Sequence, residues 1–219
     1  MCPVKREPLA DQAPLEEETG DGSAEALAEF RRRAPFLTSQ EYVALYRAHP
    51  RVHDDTDNSE LCLKLIVEQA TGSSVCDIGC GTGYLLRYIK ANAGRAFERL
   101  AGVDFVLPAT NPDPSIEFVD ATIEKLPFAD GSFDTVICTH VIEHILDYRA
   151  AIAELRRIAG RRLIIVVPRE REALYSFNPH FNFFPYKHSF LRAMHPVPAQ
   201  HICRDAGRDI FYVEDRATT

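Results

Sequence analysis

The stretch Val75–Leu85, VCDIGCGTGYL, decides how the whole chain is read. A short apolar run (73–78) meets three glycines at alternate positions, Gly79, Gly81 and Gly83. The amphipathic stretch YLLRYIKANA then follows at once and stops at Gly94. A strand, a glycine turn and a helix in that order bring a ligand close to backbone and to a helix N-terminus.

Outward from this turn the chain alternates. Upstream, SELCLKLIVEQA (59–70) predicts a helix with Leu61, Leu65, Ile66 and Val67 in its apolar stripe. Downstream, 98–105, 115–120, 133–139 and 162–168 predict further strands. LDYRAAIAELRRIA predicts a helix with Tyr148, Ile152, Leu155 and Ala159 on one stripe and Gly160 as the residue that ends it. Strands apolar on both faces and alternating with helices imply an α/β fold, a doubly wound parallel sheet covered on both sides. After a short helix near 187–194, two segments around Ala206-Gly207 predict an antiparallel hairpin at the sheet edge.

Two N-terminal helices are expected, at 23–33 and at 39–49, the second with Tyr42, Val43 and Tyr46 on one face. Residues 1–22, rich in Pro, Glu and Gly, read as a disordered acidic tail. The remainder reads as one domain: a helical cap (23–58), a core (59–168), and a lid with the edge hairpin (169–219).

The net charge of −7 is concentrated in residues 1–25, where acids outnumber Lys5 and Arg6 by five. The rest is nearly neutral and lacks the basic footprint of a nucleic-acid binder. No signal-peptide core is present, and LIIVV (163–167) is too short to span a bilayer. Cys2, Cys62, Cys76, Cys80, Cys138 and Cys203 show no framework spacing, so reduced thiols and a cytoplasmic location are expected.

The glycine turn discriminates between cofactors. A dinucleotide fingerprint needs glycine at 84, where this chain has Tyr84. Asp77, two residues before the first glycine, would repel a pyrophosphate at a cost of roughly a kcal/mol. It would attract a cation instead. S-adenosylmethionine carries a sulfonium and an ammonium and no phosphate, so an acidic strand end suits it. Asp104 ends the second strand where a carboxylate reaches ribose hydroxyls, and Phe105 beside it offers a face for adenine.

VCDIGCGTGYL, LAGVDF, FVDATIEKLPFADGSFDTVICTHVIEHI and LIIVVP together resemble the successive motifs of class I S-adenosylmethionine-dependent methyltransferases. The resemblance is to the small-molecule branch that includes the ubiquinone and menaquinone biosynthesis enzymes, and it covers roughly 60–168. It implies a Rossmann-like, seven-stranded sheet ending in an antiparallel hairpin. It also implies a glycine loop around the methionine part, Asp104 on the ribose, and Asp120-Ala121 framing the adenine. Thr139, at the end of the fourth strand, is counted with these cofactor residues.

THVIEHI (139–145) contains His140-x-x-Glu143-His144, the spelling of one class of zinc peptidase site. That site needs both histidines on one helical face. Here a buried strand runs straight into Thr139 and His140, so no metal is expected, with Glu143 and His144 as helix-start and packing residues. His140 lies where an acceptor meets the sulfonium, as a candidate substrate contact or general base.

The aromatic stretch 175–190 follows the fifth strand and can fold over the sheet edge as a lid. His180, Phe181, Asn182, Phe183, Phe184 and Tyr186 are its candidate acceptor contacts. The expected function is methyl transfer to a small organic metabolite, yielding S-adenosylhomocysteine. The alternative is a catalytically silent, methyltransferase-like binding or regulatory module. The acceptor atom, pathway and oligomeric state are open at this level.

Overall fold

A computed structural model describes residues 24–48, 55–173 and 179–216; the expected acidic tail lies outside them. Helices α1 (Ala24–Arg33) and α2 (Ser39–Ala48) precede α3 (Glu60–Gln69). The core then runs β1 (Ser74–Ile78), α4 (Tyr84–Asn92), β2 (Arg99–Asp104), β3 (Ile116–Asp120) and β4 (Phe133–Thr139). It continues with α5 (Tyr148–Ile158), β5 (Ala159–Pro168), α6 (Lys187–Ala193), β6 (His201–Ala206) and β7 (Asp209–Asp215).

The strands form one seven-stranded sheet in the order β3-β2-β1-β4-β5-β7-β6. β1 to β5 are mutually parallel, and β7 runs antiparallel to both β5 and β6. This is the expected doubly wound sheet with a C-terminal hairpin. After β1 the chain places β2 and β3 on one side and β4 on the other, so the switch point opens between the carboxyl ends of β1 and β4.

The sheet is apolar on both faces, and each face makes its own core. One gathers Cys76, Val136, Cys138 and Ile165 under Ile152 and Leu155 of α5; the other gathers Val75, Ile137, Ile164 and Val166 under α3 and α4. Two sequence expectations are corrected. Leu61 is exposed; α3 buries Leu65 and Ile66 as expected, but with Cys62 and Leu63 in place of Leu61. Gly160 does not end α5 in a left-handed cap: β5 already begins at Ala159. Glycine is needed at 160 because a Cβ there would lie 2.9 Å from the Gly131 carbonyl oxygen.

β2 and β3 are joined by 105–115 without a helix, a segment in which Pro108, Pro112 and Pro114 oppose one. No helix among the described residues is long and apolar enough to cross a membrane.

Candidate functional site at the switch point

β1 delivers Asp77, 2% exposed, to the middle of the sheet. The glycines that follow have left-handed backbone, with φ 79° at Gly79, 54° at Gly81 and 74° at Gly83. At Gly79 a Cβ would also fall 2.2 Å from Val141 Cγ2. The loop curls back onto β2. Gly79 and Cys80 N–H groups donate to the Val103 carbonyl at 2.7 and 3.0 Å, and Gly81 N–H donates to Asp104 Oδ2 at 2.9 Å. Asp104 Oδ1 accepts from Val106 N–H at 2.9 Å.

Three successive loop N–H groups are therefore committed within the protein and are not offered to a phosphate. The carboxylates that flank the loop, Asp77 and Asp104, are both buried, while the Arg87 guanidinium donates to the Thr82 carbonyl at 2.7 Å at the helix end of the loop. An anionic, glycine-lined cradle fits the cationic methionine part of S-adenosylmethionine and opposes a dinucleotide.

Asp104 and Asp120 are register partners across β2 and β3, so both stand at the same carboxyl edge. Asp104 is buried, whereas the Asp120 side chain is 67% exposed and lies 3.9 Å from Arg47 Nη2. Arg47 also donates to the Phe105 carbonyl at 2.8 and 3.2 Å. Phe105 is half-buried, and Ala121 packs on the core. Thr139 Oγ1 accepts from Asn58 Nδ2 at 2.9 Å.

Arg47 and Asn58 were not singled out in the sequence. The available signal was Asn58 in the polar run Asp55–Ser59, directly before a helix. Such a run reads as solvated, yet Asn58 is buried.

His140 leaves β4 with φ 54°, the one non-glycine residue with positive φ among those described. Its N–H donates to the Val166 carbonyl at 3.0 Å. Its Nδ1 stands 3.6 Å from Glu143 Oε1, beyond hydrogen-bond range, so the two interact as charges. Nε2 is buried and makes no hydrogen bond among the described residues. Burial opposes a charge on this ring, but the Glu143 and Asp209 carboxylates outweigh it and raise its pKa.

Residues Ile142–His144 form a 3-10 turn, and α5 begins only at Tyr148, capped by Asp147, so His140 and His144 share no helical face. Glu143 is fully buried, and neither of its Oε atoms accepts a hydrogen bond among the described residues. Despite burial, its carboxyl is held below the ordinary range by the surrounding histidines. Burial pushes the His144 pKa down to about 4, leaving a neutral ring. Glu143 and His144 lie in this turn as expected, and with His180 they place potential ligand atoms within 4.8 Å of one another.

Residues 181 and 182 are tied to this turn. Phe181 and Asn182 N–H groups donate to the Glu143 carbonyl at 2.7 and 3.0 Å. The Asn182 amide donates to the Ile142 and Ile145 carbonyls at 2.9 and 2.7 Å. The Phe181 ring packs against Phe30 and Tyr42, and the Tyr42 hydroxyl donates to the His144 carbonyl at 2.6 Å.

His180, Phe181 and Asn182 therefore gather on the 142–145 turn that follows His140. Phe184 and Tyr186 do not share that space. Phe184 is buried in the core edge-on to Phe190, where α6 must cover the sheet. Tyr186 is exposed, stacks on His188, and accepts from Arg171 at 2.7 Å.

Comparisons with known proteins agree with the geometry. Residues 76–164 match the family model described as a methyltransferase domain. A ubiquinone/menaquinone biosynthesis C-methyltransferase of Geotalea uraniireducens is 30% identical over 130 residues, covering 53% of this chain and 55% of that protein. A demethylmenaquinone methyltransferase of Thermus thermophilus is 31% identical over 102 residues, covering 42% and 46%. The chain thus spans about half the length of these curated relatives. The crystal structure of an S-adenosylmethionine-dependent methyltransferase from Aquifex aeolicus shares the fold, with TM-score 0.56 at 16% identity, covering 82% of this chain and 98% of that one. Residues 76–164 are a class I, S-adenosylmethionine-dependent methyltransferase domain resembling the ubiquinone and menaquinone methyltransferases.

Proposed function

We infer that the chain transfers a methyl group from S-adenosylmethionine to a small organic acceptor at the switch point between β1 and β4. The observation that carries this reading is the self-bonded glycine loop, framed by Asp77 and Asp104 with its N–H groups already engaged. The names of the quinone-biosynthesis relatives support an acceptor of metabolite size. The spacing of the cysteines favours a cytoplasmic location.

When bound, the cofactor supplies an electrophilic methyl group on a sulfonium sulfur. The chain's part is placement. Asp77 and the glycine loop face the methionine moiety. The Asp104 carboxylate, which holds the Gly81 and Val106 N–H groups, stands where it meets the ribose hydroxyls. Asp120, Ala121 and Phe105 frame the adenine, and Thr139 ends the strand beside it. His140 presents its buried Nε2 to the acceptor; a strained left-handed backbone at a strand end is a recurrent mark of such a site. His180, Phe181 and Asn182 close the acceptor side and exclude water.

The test is calorimetric titration with S-adenosylmethionine and S-adenosylhomocysteine, with NAD as control. Binding of the first two and not of NAD is expected. Binding of NAD in their place would overturn the reading, and cofactor binding without methyl transfer to any of a broad acceptor panel would favour the silent module.

A further inference from the structure

The turn after β4 and the lid bring together a group of side chains that methyl transfer alone does not call for. We propose that Glu143, His144 and His180 form a binding site for one divalent transition-metal ion of the zinc, cobalt(II) or iron(II) kind. Their ligand atoms lie within 4.8 Å of one another, although 36 residues separate His144 from His180. An ion held at ~2.0–2.2 Å from two imidazole nitrogens and a carboxylate oxygen requires only that these side chains turn inward.

Glu143 supplies the first independent reason. A fully buried carboxylate whose two oxygens accept no hydrogen bond among the described residues is costly. His140, at 3.6 Å, faces only one of them and lies outside hydrogen-bond range. A cation between Glu143 and the two rings would satisfy it.

The anchoring of His180 is the second reason. Its Nδ1 is paired with the Glu170 carboxylate. A ring that gives one N–H to a carboxylate or carbonyl turns a lone pair outward on the other nitrogen, the arrangement that orients metal-bound histidines. The His180 ring is held so, and it meets the His144 ring edge to face with centroids 4.7 Å apart. Two imidazoles and one carboxylate favour a borderline ion over magnesium or calcium, which take oxygen sets.

The frame is preorganised. The lid's Phe181 and Asn182 are hydrogen-bonded to residues 142–145, and Tyr42 holds the His144 carbonyl, so both ligand-bearing segments are fixed together. The sequence reading dismissed a metal because His140 and His144 cannot share a helical face. That still holds, and the partner His144 meets is His180 from the lid.

Three protein ligands leave an open position of the kind catalytic ions keep. Beside His140, that position suits an acceptor oxygen or nitrogen. This last step rests on the methyltransferase reading; the metal site itself does not.

The experiment uses the full chain stripped of metal by chelation and titrated with cobalt(II) alone, followed by visible absorption and calorimetry. One equivalent should bind, with the intense bands of a low-symmetry, four- or five-coordinate ion. His180→Gln and Glu143→Gln should abolish those bands. Glu170→Gln, which leaves all three ligands in place, should weaken binding ~10–100-fold. Absence of stoichiometric binding, or one equivalent retained unchanged in His180→Gln, would overturn the proposal. Binding of S-adenosylhomocysteine to the same His180→Gln protein reports separately on the methyltransferase reading and on correct folding.

Discussion

Asp104 Oδ2 accepts the Gly81 N–H at 2.9 Å, so the carboxylate at the end of β2 also holds the shape of the loop that follows β1. A single side chain therefore links the two halves of the cofactor cradle. On the proposed reading Asp104→Ala removes an acceptor for the ribose, and it removes a strut from the loop. Cofactor affinity should fall by about 1.5–3 kcal/mol, the scale of hydrogen bonds to a charged group. Titration with S-adenosylhomocysteine, on protein shown folded by circular dichroism, checks this. Unchanged affinity would remove Asp104 from the ribose.

Gly79 carries two constraints that can be separated. Its φ of 79° resists any side chain, and a Cβ there would collide with Val141 Cγ2 at 2.2 Å. Gly79→Ala should cost about 1–3 kcal/mol of folding stability and weaken cofactor binding. Adding Val141→Ala removes the collision but not the backbone strain, so the double variant should recover only part of the loss. Full recovery in urea unfolding would mean that φ at this position contributes little.

The sheet, its hairpin and the glycine loop were legible because each is a local pattern: apolar runs for buried strands, a 3.6-residue period for α4 and α5, and Gly207 in the tight turn between β6 and β7. The site beyond the cofactor cradle was not. Arg47 reaches Phe105 across 58 residues of sequence, and Asn182 reaches Ile142 and Ile145 across 40 and 37. No periodicity encodes such pairings. They arise only once α2 reaches the end of β2 and the segment after β5 closes on the turn after β4. The aromatic lid misled for a related reason: Phe181, Phe184 and Tyr186 look alike in sequence, yet they face the helical cap, the core and solvent respectively.

Away from the site, Arg156 of α5 makes two 2.7 Å contacts to Glu214 of β7 and donates to the Met194 carbonyl at 2.9 Å. The Tyr212 hydroxyl donates to the same carboxylate at 2.6 Å. Glu214 is nearly buried, so removing its cation leaves a charge that water cannot reach. Arg156→Ala should cost about 3 kcal/mol, the lower end for broken buried pairs because Arg156 keeps some exposure. Arg156→Met combined with Glu214→Leu should be milder than Arg156→Ala alone. Thermal denaturation of these two variants beside the unaltered protein decides this, and a double variant no more stable than Arg156→Ala would show that the unpaired Glu214 charge is not the source of the loss.

Asp134 gives the fold a predictable acid limb. Its Oδ2 accepts from the Ser73 and Ser74 N–H groups at 2.8 and 3.1 Å and from the Ser74 hydroxyl at 3.0 Å. Burial works against the charge, but these bonds and Arg161 prevail and hold the carboxyl below the ordinary aspartate range. A depressed folded-state pKa means that the stabilisation is complete above the unfolded value, near 3.9. It is then lost as pH falls through the lower folded value. Asp134→Asn should therefore destabilise the protein by about 1–2 kcal/mol at neutral pH, and the gap to the unaltered protein should narrow below about pH 4. A gap that stayed constant from pH 7 down to the acid transition would show that the charge on Asp134 is not what holds the turn between α3 and β1.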